Sequence, residues 1–117
     1  MNGQEWVVEA FGCRPEALTD LGKLQTLLER LAADLPLHPV GEPLWHQFEQ
    51  PGGITGLCLL AESHFACHTF PEHGSLTLNL FCCLPRPAWD FRGYLTEEFG
   101  AAHVCVRCLE RPYRSGT

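Results

Sequence analysis

The chain has no apolar run near the roughly 20 residues a membrane-spanning helix needs, so no membrane partner is expected. Positive charge is scarce. Lys and Arg number 8 against 14 Asp and Glu, leaving a formal charge of −6. Phosphate backbones are held by basic patches, so this balance speaks against a nucleic-acid partner. The opening Met1-Asn2-Gly3-Gln4-Glu5 lacks a basic region before an apolar core, so no secretory signal is expected and the cytoplasm is the expected compartment. Repeats and low-complexity segments are absent. Cysteine, by contrast, is plentiful at 7. An odd number without a signal does not suggest a disulfide framework. Cys105 and Cys108 have the spacing of a zinc half-site, but no second pair has it. Their segment reads as a strand, where residues three apart point to opposite faces. Packed thiols are expected there, and no metal site.

At 117 residues, 45% hydrophobic and 19% charged, the chain reads as one globular domain over 1–117. Glu5–Phe11 is rich in strand formers and ends at Gly12. Pro15 can open a helix, and Ala17–Asp34 carries Leu18, Leu21, Leu24, Leu27, Leu28 and Leu31 at helical spacing. Pro36 and Pro39 stop it. Leu44–Phe48, Ile54–Leu60, His64–Phe70 and Leu76–Cys82 read as four strands, with turns at Glu49–Gly53 and Pro71–Gly74. Trp89–Phe99 reads as a second helix and Val104–Leu109 as a last strand. The order strand, helix, four strands, helix, strand predicts an α+β two-layer sandwich: an antiparallel sheet with both helices on one face. Its other face is left for a partner or a site.

The chemistry concentrates in Glu62-Ser63-His64-Phe65-Ala66-Cys67-His68-Thr69-Phe70-Pro71-Glu72-His73-Gly74 and the Phe81-Cys82-Cys83 that follows. Serine is a poor nucleophile without a base. A strand residue five away lies on the opposite face, so pairing Ser63 with His68 needs a bend. The plain reading makes Ser63 a strand-end hydroxyl and His68 a hydrogen-bonded core histidine. A Ser-His hydrolase lacks its Gly-x-Ser-x-Gly elbow here. A zinc site from His64, Cys67, His68, His73, Cys82 and Cys83 matches no familiar ligand spacing.

The Glu-Ser-His, His-Thr-aromatic-Pro-Glu-x-Gly and Phe-x-Cys elements, in this order and spacing, closely resemble the self-processing segment of bacterial S-adenosylmethionine decarboxylases. The match is densest over Gly53–Cys83, about a quarter of the chain, with a weaker likeness over Gly3–Gly12 and Cys13. The resemblance implies a cut between Glu62 and Ser63, giving a β chain 1–62 and an α chain 63–117. Ser63 would attack the Glu62 carbonyl to form an ester, and β-elimination would leave a covalent pyruvoyl cofactor at the new N-terminus, with no metal. That group would hold the substrate amine and draw electrons from the breaking carbon–carboxylate bond. His68 matches the histidine that assists processing, and Thr55 falls where the family has an intermediate-stabilising serine. Cys83 matches the acid that protonates the product carbon. Glu72 matches a substrate-binding carboxylate, Phe48 an adenine-stacking aromatic, and Glu9 an acidic residue of the first strand. The resemblance also implies a small-molecule substrate and a homodimer of cleaved protomers with sites near the interface.

This chain departs from the family at Glu5 (usually His), Phe70 (usually Trp), Ser75 (usually Tyr), Asn79 (usually Asp) and Cys82 (usually Thr). Several lie near where substrate would sit. Glu5 could pair with a guanidinium or ammonium group, which keeps arginine or ornithine decarboxylation open beside S-adenosylmethionine. A non-catalytic binding homologue that never cleaves is the remaining alternative. Glu62, Ser63, His68 and Cys83, all present, argue against it.

Overall fold

The computed structural model describes residues 2–115; Met1, Gly116 and Thr117, which the expected domain includes, lie outside the described residues. Six strands are described: β1 (Asn2–Phe11), β2 (Leu44–Gln47), β3 (Ile54–Leu60), β4 (Ser63–Phe70), β5 (Ser75–Cys82) and β6 (His103–Pro112). They form one sheet in the order β2-β3-β4-β5-β1-β6, each neighbouring pair antiparallel. Three helices accompany it: α1 (Pro15–Leu18), α2 (Leu21–Asp34) and α3 (Phe91–Phe99). The α+β sandwich expected from the sequence is the fold observed.

The expected first helix is two helices. Leu18 and Thr19 cannot pass their carbonyls down a continuous helix, because Thr69 Oγ1 donates to Leu18 O at 2.7 Å and Gln47 Nε2 to Thr19 O at 2.9 Å. Asp20 then restarts the helix as an N-cap, its side chain accepting from Lys23 N at 3.3 Å. Likewise Asp90 caps α3, accepting from Gly93 N at 2.9 Å, so that helix starts two residues after Trp89. Gly12 leaves β1 with φ +69°, and a Cβ there would stand 2.8 Å from Ala102 Cβ, so glycine suits both the backbone and the space.

Directly paired residues of neighbouring strands share a face. Trp6, Val8 and Ala10 of β1 stand opposite Leu80, Leu78 and Leu76 of β5, and Phe65 and Cys67 of β4 face the same Leu80 and Leu78. All of these are buried in one core with Leu24, Leu27, Leu28 and Leu31 of α2 and Phe91, Leu95 and Phe99 of α3. Alternation therefore puts every helix on one face, as expected. The same register sends Glu5, Val7, Glu9, Thr55, Leu57, His64, Ala66, His68, Thr77, Asn79 and Phe81 to the open face. Cys105 pairs with Glu9 on the open face and Cys108 with Trp6 on the helix face, so the two thiols point apart as the strand period requires. No described helix is long and apolar enough to cross a membrane.

Candidate active site

The candidate residues fall into two groups on different parts of the sheet. The first surrounds the tight turn between β3 and β4. Glu62 lies in that turn and is buried, 7% exposed. Its carboxylate accepts from His38 N at 2.9 Å, meets His38 Nδ1 at 2.5 Å and stands 3.4 Å from Arg86 Nη2. Burial alone would push this carboxyl up, but the His38 contacts outweigh it and hold it below its ordinary range. The Glu62 main-chain carbonyl accepts from Cys83 N at 2.8 Å. Ser63 Oγ lies 2.9 Å from His64 Nδ1, and the His64 ring sits edge-on to Phe81 at 5.6 Å. Among the described residues Ser63 is the one non-glycine with positive φ, 156°, an uncommon conformation at the peptide of interest.

The register explains why this turn gathers them. Ser63 opens β4 opposite Cys82, the last residue of β5, so Cys83 leaves the sheet beside Glu62. Cys83 is exposed, whereas Cys82 is buried and its thiol is pushed up to about 11, mainly by burial. Cys67, also buried, is pushed up to about 12 for the same reason.

The second group occupies the middle of the open face. Thr55 Oγ1 and His68 Nδ1 are 2.7 Å apart, as β3–β4 pairing places these two residues side by side. The His68 ring is 4.4 Å from Phe70 and 6.0 Å from Phe48, which is 46% exposed beyond the end of β2. A shallow concavity of about 540 Å³ lies here, bordered by Glu5, Glu9, Thr55, His68 and Asn79 among others. Glu72 is exposed in the 3-10 turn Pro71–His73, two residues beyond Phe70.

Two expected substrate carboxylates are already engaged. Arg107 Nη2 grips both oxygens of Glu9 at 2.7 and 2.5 Å. Arg111 Nη1 bonds Glu5, which also accepts from Asn79 Nδ2 at 3.2 Å, and the Arg111 guanidinium lies 5.2 Å over the Phe81 ring. Glu5 thus has a guanidinium from its own chain.

One chain does not bring Ser63 and His68 together. Five strand residues at about 3.3 Å each separate them along β4 by about 16 Å. The structure instead adds residues the sequence reading passed over. His38 and Arg86 sit between prolines in segments without periodicity, so nothing in the sequence pairs them with Glu62. His64 stands in the central run, where the sequence offers it only as a zinc ligand and not as a partner of Ser63. Arg107 and Arg111 did leave a trace: their spacing of four matches that of Glu5 and Glu9 on a strand of opposite direction.

Among the described residues no three His, Cys, Asp or Glu side chains gather as a metal group. The chemistry that is assembled is a hydroxyl beside an imidazole and a peptide carbonyl oxygen held by the backbone N–H of Cys83, an exposed cysteine.

Known proteins resemble this chain over nearly its whole length. A family model described as S-adenosylmethionine decarboxylase matches residues 4–112. The S-adenosylmethionine decarboxylase proenzyme of Moorella thermoacetica is 36% identical over 110 residues, covering 93% of this chain and 86% of that protein. Its counterpart in Syntrophomonas wolfei is 35% identical with the same coverage. The crystal structure of the adenosylmethionine decarboxylase from Aquifex aeolicus superposes with a TM-score of 0.78 at 26% identity, over 99% of this chain and 98% of that one.

Proposed function

The chain belongs to the S-adenosylmethionine decarboxylase family, and from that premise we propose that it is a proenzyme that cuts itself at Glu62–Ser63 and then decarboxylates S-adenosylmethionine, supplying the aminopropyl donor for spermidine synthesis. The observation that carries this reading is the Glu62 carbonyl. Its oxygen accepts the Cys83 N–H at 2.8 Å while the Ser63 hydroxyl lies beside a ring nitrogen. A fixed donor on that oxygen favours the charge that builds there when the carbon is attacked. The residues present therefore fit a pyruvoyl group made from Ser63. When formed, that group supplies the carbonyl that accepts the substrate amine and the electrons of the carbon–carboxylate bond.

The chain's own residues supply the rest. Glu62, locked by His38 and Arg86, holds the residue before the cut in one conformation. Cys83, exposed and bonded through its backbone N–H to the Glu62 carbonyl, would deliver a proton to the product carbon. Phe48 offers an exposed ring for an adenine face, and Glu72 a solvent-facing carboxylate for a cationic group. The charge of Glu5 is already offset by Arg111, which weakens it as a partner for a guanidinium substrate and favours S-adenosylmethionine over arginine or ornithine.

The separation of the two groups supports a homodimer as part of this reading. Ser63 and Cys83 lie at one edge of the open face and Thr55–His68 about 16 Å along β4. A second copy packed on that face would bring its Thr55–His68 pair to the first copy's Ser63. Exposed Leu44, Phe48, Leu57, Leu59 and Leu109 give such a contact apolar substance. Seven free cysteines suit a reducing compartment, and the cytoplasm is the proposed location.

The test is the denatured mass of the purified protein before and after incubation with S-adenosylmethionine and cyanoborohydride, with arginine and ornithine as comparators. Chains of 62 and 55 residues are expected, with an adduct from S-adenosylmethionine alone on the shorter one. Ser63→Ala should give one uncut, inactive chain, and normal turnover by that variant would end the pyruvoyl reading. A wild-type chain that stays whole points to the non-catalytic homologue.

A further inference from the structure

We infer that His64 is the base of the first processing step. This rests on the reading that Ser63 cuts the chain. His64 Nδ1 takes the proton from Ser63 Oγ as that oxygen bonds to the Glu62 carbonyl carbon. It returns the proton to the Ser63 nitrogen as the carbon–nitrogen bond breaks and the ester forms. No outside reactant is needed, and the proton count is unchanged.

An unassisted serine hydroxyl at neutral pH is too weak to attack a peptide. Four other histidines stand near enough to the β3–β4–β5 region to be considered, and each is occupied or misplaced; His46 of β2 sits opposite Thr55, at the far end of β3 from Ser63. His38 Nδ1 is committed to the Glu62 carboxylate. His68 Nδ1 is bonded to Thr55 and lies about 16 Å away along β4. His73 is in the turn at the far end of β4. Only His64 has a ring nitrogen at hydrogen-bond distance from Ser63 Oγ, 2.9 Å. With the proton on Nε2, Nδ1 accepts from the hydroxyl, which is the tautomer the step uses. The Phe81 ring lies against it, centroids 5.6 Å apart in a T-shaped arrangement. The Cys83 N–H already holds the oxygen of the carbonyl under attack. Base, nucleophile and oxyanion donor thus come from one chain, at the start of β4 and the end of β5. His68, if supplied by a second copy, remains for the later elimination. The two histidines then serve different steps.

The step can be isolated by asking whether an ester forms. Full-length chain is made by cell-free translation as wild type, Ser63→Ala, His64→Ala and His64→Gln, and the uncut fraction is followed with time. Neutral hydroxylamine cuts an ester but not a peptide. Ser63→Ala is expected to stay whole. Both His64 variants are expected to cleave at least about 100-fold more slowly than wild type, the lower range for loss of a general base. Their uncut chains should resist hydroxylamine. Cleavage of either variant at the wild-type rate overturns the inference. So does prompt hydroxylamine cutting at residue 62, which means the ester formed without His64. His64→Gln keeps the size and polarity of the site, and circular dichroism of that variant separates slow chemistry from misfolding. Should Ser63→Ala itself be cut, the self-processing reading fails, an outcome distinct from all of these.

Discussion

Removing the Glu62 side chain should destabilise the protein by about 3 kcal/mol at neutral pH, and part of that loss should disappear in acid. The measurement belongs in a Ser63→Ala background, so that cleavage does not confuse the unfolding. Glu62 accepts two hydrogen bonds from His38, at 2.9 and 2.5 Å. A hydrogen bond to a charged group contributes about 1.5–3 kcal/mol net. Arg86 at 3.4 Å adds an ion pair of at most about 1 kcal/mol, since its own side chain is partly exposed. Desolvation of a carboxylate that is only 7% exposed offsets part of the total. Glu62→Ala also strands the His38 N–H and leaves Arg86, whose Nε is already buried without a partner, with no anion. The net of about 3 kcal/mol is that of two charge-assisted bonds at the low end of their range; the His38 side chain is itself mostly exposed, so no buried ion pair is counted. It corresponds to a fall in Tm of about 10 °C for a domain of this size.

The pH dependence follows from the sign of the shift. The folded carboxyl titrates below its ordinary value of 4.5. Its contribution is therefore complete above 4.5 and is lost as pH falls through the folded value. Urea unfolding of the two proteins at a series of pH values, with m unchanged, reads the gap directly. A gap under about 0.5 kcal/mol at pH 7, or one that stays constant down to pH 3, would refute the reasoning.

Three further outcomes are expected. Thr55→Val removes the hydroxyl on His68 Nδ1 and should slow formation of the two-chain enzyme about tenfold, the worth of one hydrogen bond of about 1.4 kcal/mol, while Thr55→Ser stays near wild type. A wild-type processing rate for Thr55→Val, read by gel densitometry, would remove Thr55 from the site. Brief iodoacetamide treatment of the native protein at pH 8 should label exposed Cys83 and Cys108 and spare Cys13, Cys58, Cys67 and Cys82, whose thiols are buried and pushed up; peptide mass mapping checks it. Gly56→Ala should cost about 1–3 kcal/mol in urea unfolding, because its Cβ would stand 2.3 Å from Trp45 Cζ3 and 3.1 Å from Cys67 Sγ.

Strand and helix identities were legible because each rests on local periodicity. Ile54–Leu60 was read with the bounds it has, and the alternation of Leu76, Leu78 and Leu80 marked the buried face of β5. The division of the first helix was not legible. It depends on Thr69 and Gln47, 51 and 28 residues from the carbonyls they take. Residue types in the central segment were equally readable, since Glu62, Ser63, His68 and Cys83 fall in one recognisable run.

The sequence by itself determined the alternating and helical patterns that make a two-layer α+β sandwich, the family, and the serine on which its chemistry would turn. Each is a property of short windows, where side-chain period and residue type are written directly. Only the tertiary structure decided which of those residues meet. Strand register, a consequence of burying one apolar face, put Cys83 against the Glu62 carbonyl and His68 on Thr55. It gave Arg107 to Glu9 and Arg111 to Glu5, and left His64 beside Ser63. Such pairings join residues far apart in the chain, and only the packed sheet selects one register among those that local pattern allows.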